Sequence, residues 1–155
     1  MRDLYSNLGF YEALPADVYS AAANGTTIDL LGFDAACILL DTASFASAGA
    51  ASDQWTFILQ HGTASAAGVD QWSLVPASLL LHSTYGGLDS TTETGEFGRL
   101  SASTDTGVAM VGYRGDGQHR YLRVVLSISG ICSSFWGAGV ALVGNASQWP
   151  INEPV

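Results

Sequence analysis

From Thr26 onward, apolar residues recur at every second position, and that period of two commits the chain to β-strands rather than helices. "TTIDLLGF" sets Ile28 and Leu30 on one face, and "DAACILLDT" does the same for Ala36, Ile38 and Leu40, with Gly32 to Asp34 as the break between them. "QWTFILQ" alternates Trp55, Phe57 and Leu59 against Thr56, Ile58 and Gln60. "RYLRVVLSI" places Leu122, Val124, Leu126 and Ile128 opposite Tyr121, Arg123, Val125 and Ser127. The last such run, "GAGVALVGN", is built of small residues and valine. No long amphipathic helix interrupts the pattern. Seven or eight short strands separated by turn signals predict an all-β fold, an antiparallel β-sandwich of jelly-roll-like type. At 155 residues, one domain is the expectation.

The chain divides unevenly. Residues 1–25 read as an extended N-terminal arm carrying the large apolar side chains Leu4, Tyr5, Leu8, Phe10, Tyr11 and Leu14, with a short helical turn over 15–22 started by Pro15. Residues 26–149 form the sandwich, and 150–155 a C-terminal tail. Within the sandwich, Pro76 confines "QWSLVPASLLL" to an edge or a strand end. The Ser-, Thr- and Gly-rich segment 82–107 reads as a long exposed loop or insertion, with one short strand around Phe97–Leu100. "GVAMVGYR" and "RYLRVVLSI" flank "GDGQH", which has the length and glycine content of a hairpin loop.

Charge narrows the partners. The chain has a net charge of -9 and no lysine; its only basic side chains are Arg2, Arg99, Arg114, Arg120 and Arg123. Nucleic-acid binding needs clustered positive charge to release counterions, so no direct nucleic-acid contact is expected. The first twenty residues lack the apolar core of a secretory signal. No run reaches the roughly 18 apolar residues of a membrane span, so a soluble product of the cytoplasm is expected. Cys37 and Cys132 each sit in an apolar stretch and read as buried free thiols; the absence of Cys-x-x-Cys gives a zinc or redox reading no support.

Nothing in the sequence marks a catalytic centre. There is no Gly-x-Ser-x-Gly elbow, no marked carboxylate pair despite Asp89, Glu93 and Glu96 in the long loop, and no calcium loop at "GDG". His61, His82 and His119 occur singly near strand ends and read as surface residues, with no metal and no cofactor expected. Arg123 pairs either with a carboxylate across the strands or with a neighbouring subunit. Arg114 and Arg120 face each other across the loop, with Asp116 available to separate their charges. Trp55 and Trp72 read as core, whereas Trp136 and Trp149, near the last strand and the tail, are the candidates for an exposed aromatic platform.

"MRDLYSNLGFYEAL", "TIDLLGFDAACILLDT", "WTFILQHGT…QWSLVP" and "VGYRGDGQHRYLRVVLSISG" together resemble small structural proteins of tailed phages. The group is that of head auxiliary proteins, which decorate or cement the major capsid protein in phages and gene-transfer-agent-like elements of marine bacteria. The likeness covers most of the chain except 82–107 and implies a non-enzymatic virion protein. Such a protein is made in the host bacterial cytoplasm, binds the outer capsid surface and stabilises it, with the major capsid protein as partner and a homo-oligomer, a trimer favoured, as its form. The contact candidates are Leu4, Tyr5, Leu8, Phe10, Tyr11, Arg114, Arg120 and Arg123. Two alternatives stand beside it: a head–tail connector or tail protein, and a carbohydrate-binding sandwich engaging host glycans through Trp136 or the 82–107 loop.

Overall fold

A computed structural model describes residues 8–43, 53–63, 71–85, 95–101 and 107–146, apart from the side chains of 82–85 and 145–146. These residues form eleven strands: β1 (Gly9–Tyr19), β2 (Ala23–Asn24), β3 (Ile28–Asp29), β4 (Phe33–Thr42), β5 (Gln54–Gly62), β6 (Trp72–Leu74), β7 (Leu80–Tyr85), β8 (Glu96–Leu100), β9 (Gly107–Arg114), β10 (Tyr121–Ser129) and β11 (Phe135–Ala146). A single 3-10 turn, Ala77–Leu79, precedes β7. The strands build two antiparallel sheets. Sheet A has the order β1-β11-β4-β9-β7; sheet B runs β2-β10-β5-β6, with β3 also on β10 and β8 also on β5. The molecule is a β-sandwich, as the alternation predicts.

Burial follows the period of two. Ile38 and Leu40 from sheet A meet Trp55, Phe57, Leu59, Leu122, Val124 and Leu126 from sheet B, all fully buried. Phe135 lies at the centre of an aromatic cluster, its ring edge-on to Trp55 at 4.9 Å and to Phe57 at 5.9 Å. Such edge-to-face pairs set the positive rim of one ring against the negative face of another, adding directional attraction to simple burial.

Three expectations need correction. Residues 9–19 do not stand off the sandwich as an arm, nor does 15–22 form a helical turn. They are β1, paired along β11 from Gly9↔Val143 to Tyr19↔Phe135. Pro15 is accommodated because β1 is an edge strand, where a missing N–H costs no ladder bond, and the register slips on both sides of Leu14. Through those slips Ala13 and Leu14, adjacent in sequence, are both buried. Segment 82–107 is likewise not all exposed loop: the strand expected near Phe97–Leu100 is β8, and Phe97 and Leu100 are core residues.

The third correction concerns "GDGQH". β9 and β10 are not a hairpin, because β9 pairs with β4 and β7 in sheet A while β10 pairs with β5 in sheet B. The connection is an arch that crosses from one sheet to the other over the end of the core. The reason is burial: Ala109, Val111 and Tyr113 of β9 and Leu122, Val124 and Leu126 of β10 must all reach the interior. Strands in opposite sheets bring both rows there, face to face. Gly117 turns the arch with φ +72, a left-handed backbone that glycine adopts without a Cβ clash.

Candidate functional site

The outer face of sheet A departs from what an exposed antiparallel sheet presents, a polar surface alternating with a buried one. Strand register aligns its outward residues into rows. One row runs Phe10, Leu142, Cys37, Gly112 and Leu81; the next runs Glu12, Val140, Leu39 and Met110; a third holds Ala138, Asp41 and Val108. Val18 and Trp136 pair beyond them. Phe10 is 62% exposed, Val18 59%, Leu81 71%, Val140 46% and Trp136 41%. A shallow groove of about 390 Å³ lies over the β1–β11 edge, lined by Phe10, Glu12, Ala16, Ala138 and Val140 among others. Charge on this face is sparse: Glu12 and Asp41 on the sheet, and Arg114 at the end of β9. The outward side of sheet A is thus a contiguous, largely apolar patch.

Sheet B is more mixed. Gln54, Thr56, Gln60, Arg123 and Ser127 lie on its outer side, in register across β5 and β10, with Ile58, Val125 and Tyr121 between them. Arg123 does not pair with a carboxylate. Its Nε and Nη2 donate to the Gln60 carbonyl oxygen on the neighbouring strand at 2.9 and 2.7 Å, and its guanidinium lies 4.3 Å from the centre of the Trp72 ring. Trp72 is therefore not core, as the sequence suggests, but is buried on the outside, beneath Arg123 and against Gly62. A Cβ at Gly62 would come within 3.1 Å of the indole. Burial lowers the Arg123 pKa from its ordinary value.

The structure separates the sequence-level contact candidates. Phe10 lies on the apolar face, Leu8 is half-buried just before β1, and Tyr11 turns inward against the core. Arg114 is exposed at the end of β9. Arg120 forms a two-pronged pair with Asp29, Nε to Oδ1 at 2.7 Å and Nη2 to Oδ2 at 2.5 Å, which ties β3 to the start of β10. The Arg120 hydrogen bonds hold the Asp29 carboxyl below the usual range against a smaller effect of burial. Asp116 therefore does not separate Arg114 from Arg120. Trp136 is exposed as expected, within the apolar face; Leu4, Tyr5 and Trp149 lie outside the described residues.

Asp116 instead belongs to a cluster built by the arch. Its Oδ1 accepts the backbone N–H groups of Gln118 and His119 at 2.9 Å, and its Oδ2 lies 2.6 Å from Nδ1 of the His119 ring. The His119 ring stacks on that of His61 with centroids 3.6 Å apart and planes 15° from parallel. His61, from β5, is buried rather than on the surface, and its Nδ1 is 3.2 Å from the Tyr113 hydroxyl of β9. The side chains of His61, Asp116 and His119 each offer one metal-ligand atom within 4.8 Å of the others. Three potential ligand residues, two histidines and an aspartate from β5 and the arch, thus converge, which the expectation of isolated histidines missed. No local spacing could have shown it, because β5 meets the arch only through the sandwich.

Protonation within the cluster is settled by its surroundings. Burial drives the His61 pKa down, nearby His119 drives it further, and Asp116 opposes them. Partial burial works to raise the Asp116 carboxyl, but the two N–H bonds and the His119 ring prevail and hold it at about 2. Burial, with Asp116 adding to it, pushes the Tyr113 phenol up, so it remains protonated.

The chain matches no protein-family model and no curated protein. Cys37 and Cys132 are unpaired but half-buried rather than fully buried; Cys37 is part of the apolar face, where burial raises its thiol pKa. Among the described residues no helix is long and apolar enough to cross a membrane.

Proposed function

We propose that this chain is a non-enzymatic virion structural protein that docks the outer face of sheet A against protein neighbours, as a decoration or cement protein on the outer surface of a phage capsid. The observation that carries the docking is the apolar face itself, with Phe10, Leu81, Val140 and Trp136 exposed on a folded sheet. The shell as neighbour rests on the sequence resemblance. The strand wiring supports a jelly-roll reading of the sandwich: successive elements pass back and forth between the sheets, and β1 lies beside β11. On β1, Phe10 and Val18 form the rim of a patch carried by paired strands. A rigid patch loses little conformational entropy on docking, so more of its contact energy remains as affinity. Copies associated in a trimer and seated at three-fold positions reinforce a shell through avidity.

The test is occupancy. Capsids stripped of this chain are incubated with wild-type protein or with Val140→Lys, and bound copies are counted by quantitative gel and density map. The expected result is hundreds of wild-type copies on the head exterior and a loss of most of them for the variant, with folding retained by circular dichroism. Six or twelve copies at the neck would instead establish the connector reading, and glycan binding abolished by Trp136→Ala would establish the carbohydrate-binding one.

A further inference from the structure

Two imidazoles stacked beside a carboxylate at the end of a sandwich form an arrangement with little reason to exist for packing alone. An apolar side chain at His61 would fill the same buried position without the need for a polar partner. We infer that His61, Asp116 and His119 form a binding site for a divalent transition-metal ion of the zinc class, which pins the arch to sheet B.

The donor set selects the metal. Two imidazole nitrogens and one carboxylate oxygen suit borderline ions such as Zn²⁺, Co²⁺ and Ni²⁺, whereas Ca²⁺ and Mg²⁺ take all-oxygen shells. The three ligand atoms lie within 4.8 Å of one another, a spread that modest side-chain rotation closes to a common ion. The stack must open for this: rings 15° from parallel aim their lone pairs alongside each other rather than at one point. His119 is the ring free to swing, since about a quarter of its side chain is exposed while His61 is buried. The ion then takes the place of the hydrogen shared by His119 Nδ1 and Asp116 Oδ2.

The rest of the site is built to hold these groups. Asp116 is fixed by two backbone N–H bonds, and its carboxyl is ionised at neutral pH. His61 is neutral there, the form that ligates, and its Nδ1 faces both the Tyr113 hydroxyl at 3.2 Å and Asp116 Oδ2 at 4.0 Å, so an ion bound at that nitrogen displaces the Tyr113 hydrogen bond. The arginine nearest in sequence, Arg120, is engaged by Asp29. Three protein ligands leave one position of a tetrahedral ion for water or for a group from a docked neighbour.

Isothermal titration of the full-length chain, first treated with chelator, with ZnCl₂ or CoCl₂ at neutral pH tests the inference. One ion per chain should bind, Co²⁺ should develop visible absorption bands, and the melting temperature should rise with Zn²⁺. His119→Ala and Asp116→Asn, both on the arch surface, should each weaken Zn²⁺ binding at least tenfold and remove the thermal shift. Asp41→Asn, on the opposite side of sheet A from the core, should leave binding unchanged. His61→Gln is a further variant, but the arch variants decide the outcome even if it fails to fold. No saturable binding by wild type, or wild-type affinity in both arch variants, overturns the inference.

Discussion

The two sheets of this sandwich are alike inside and unlike outside. Both line the core with branched and aromatic side chains, yet sheet A turns Phe10, Leu39, Leu81, Met110 and Val140 outward where sheet B turns Gln54, Thr56, Gln60 and Arg123. Folding the isolated chain requires only the inner faces to be apolar. An apolar outer face adds solubility cost and aggregation risk without stabilising the monomer, which is why the docking proposal is placed on sheet A. On sheet B the outward aromatics Trp72 and Tyr121 each lie near a guanidinium, Arg123 at 4.3 Å and Arg120 at 5.1 Å.

The largest effects should fall on the shared interior and should not distinguish the sheets. Ile38→Ala in sheet A and Phe57→Ala in sheet B are expected to destabilise by roughly 2–5 kcal/mol each in urea titration, through lost contacts and the cavity left behind. The comparison sharpens at the next level. Val140→Lys should leave the urea midpoint nearly unchanged and weaken self-association or shell binding by about 2 kcal/mol, some thirtyfold, by sedimentation or occupancy. Ile58→Lys, outward on sheet B, should alter neither. Equal loss of association from both variants would break the distinction between the faces.

Smaller still is Arg123→Lys, expected to cost about 1 kcal/mol of stability by thermal melt. Lysine keeps the charge but loses the planar fork that serves Gln60 and the guanidinium contact with the Trp72 ring. The smallest effect is a pH dependence. An imidazole in the unfolded chain protonates near pH 6.5, whereas folded His61 resists protonation to lower pH. Between those values the unfolded state holds more protons, so stability contributed by neutral His61 is full above about pH 6.5 and lost as pH falls through the folded value. His61→Gln should flatten that decline in urea titrations run through the same window. Asp116, held at about 2, adds a second loss only in stronger acid, as pH falls from the ordinary carboxylate range towards that value.

Much of the interior was legible from the alternation alone, because side chains on a strand point to opposite faces in strict turn. The alternation groups Ile28 with Leu30, Ile38 with Leu40, Trp55 with Phe57 and Leu59, and Leu122 with Val124, Leu126 and Ile128, and each of these rows lies in the core, Ile128 at its partly buried margin. Residues 9–19 were less legible because Gly9 and Pro15 break the pattern, and Pro15 is tolerated only through an edge position that pairing with β11 creates. The apolar outer face escaped notice for a related reason. "CILLD" and "GVALV" are apolar at consecutive positions, and a run of that kind does not say whether its second face meets another layer of the same chain or a different molecule.

What the order of residues determined by itself is the strand class, the absence of a marked catalytic motif, and which side of each strand seeks the interior. The tertiary structure alone decided which strands pair, and through that it turned an apparent hairpin into an arch and gathered His61, Tyr113, Asp116 and His119 from three segments. Alternation is a local property of the backbone, readable one strand at a time. Pairing is a competition among all strands for the same core, and its outcome exists only once both sheets have closed over it.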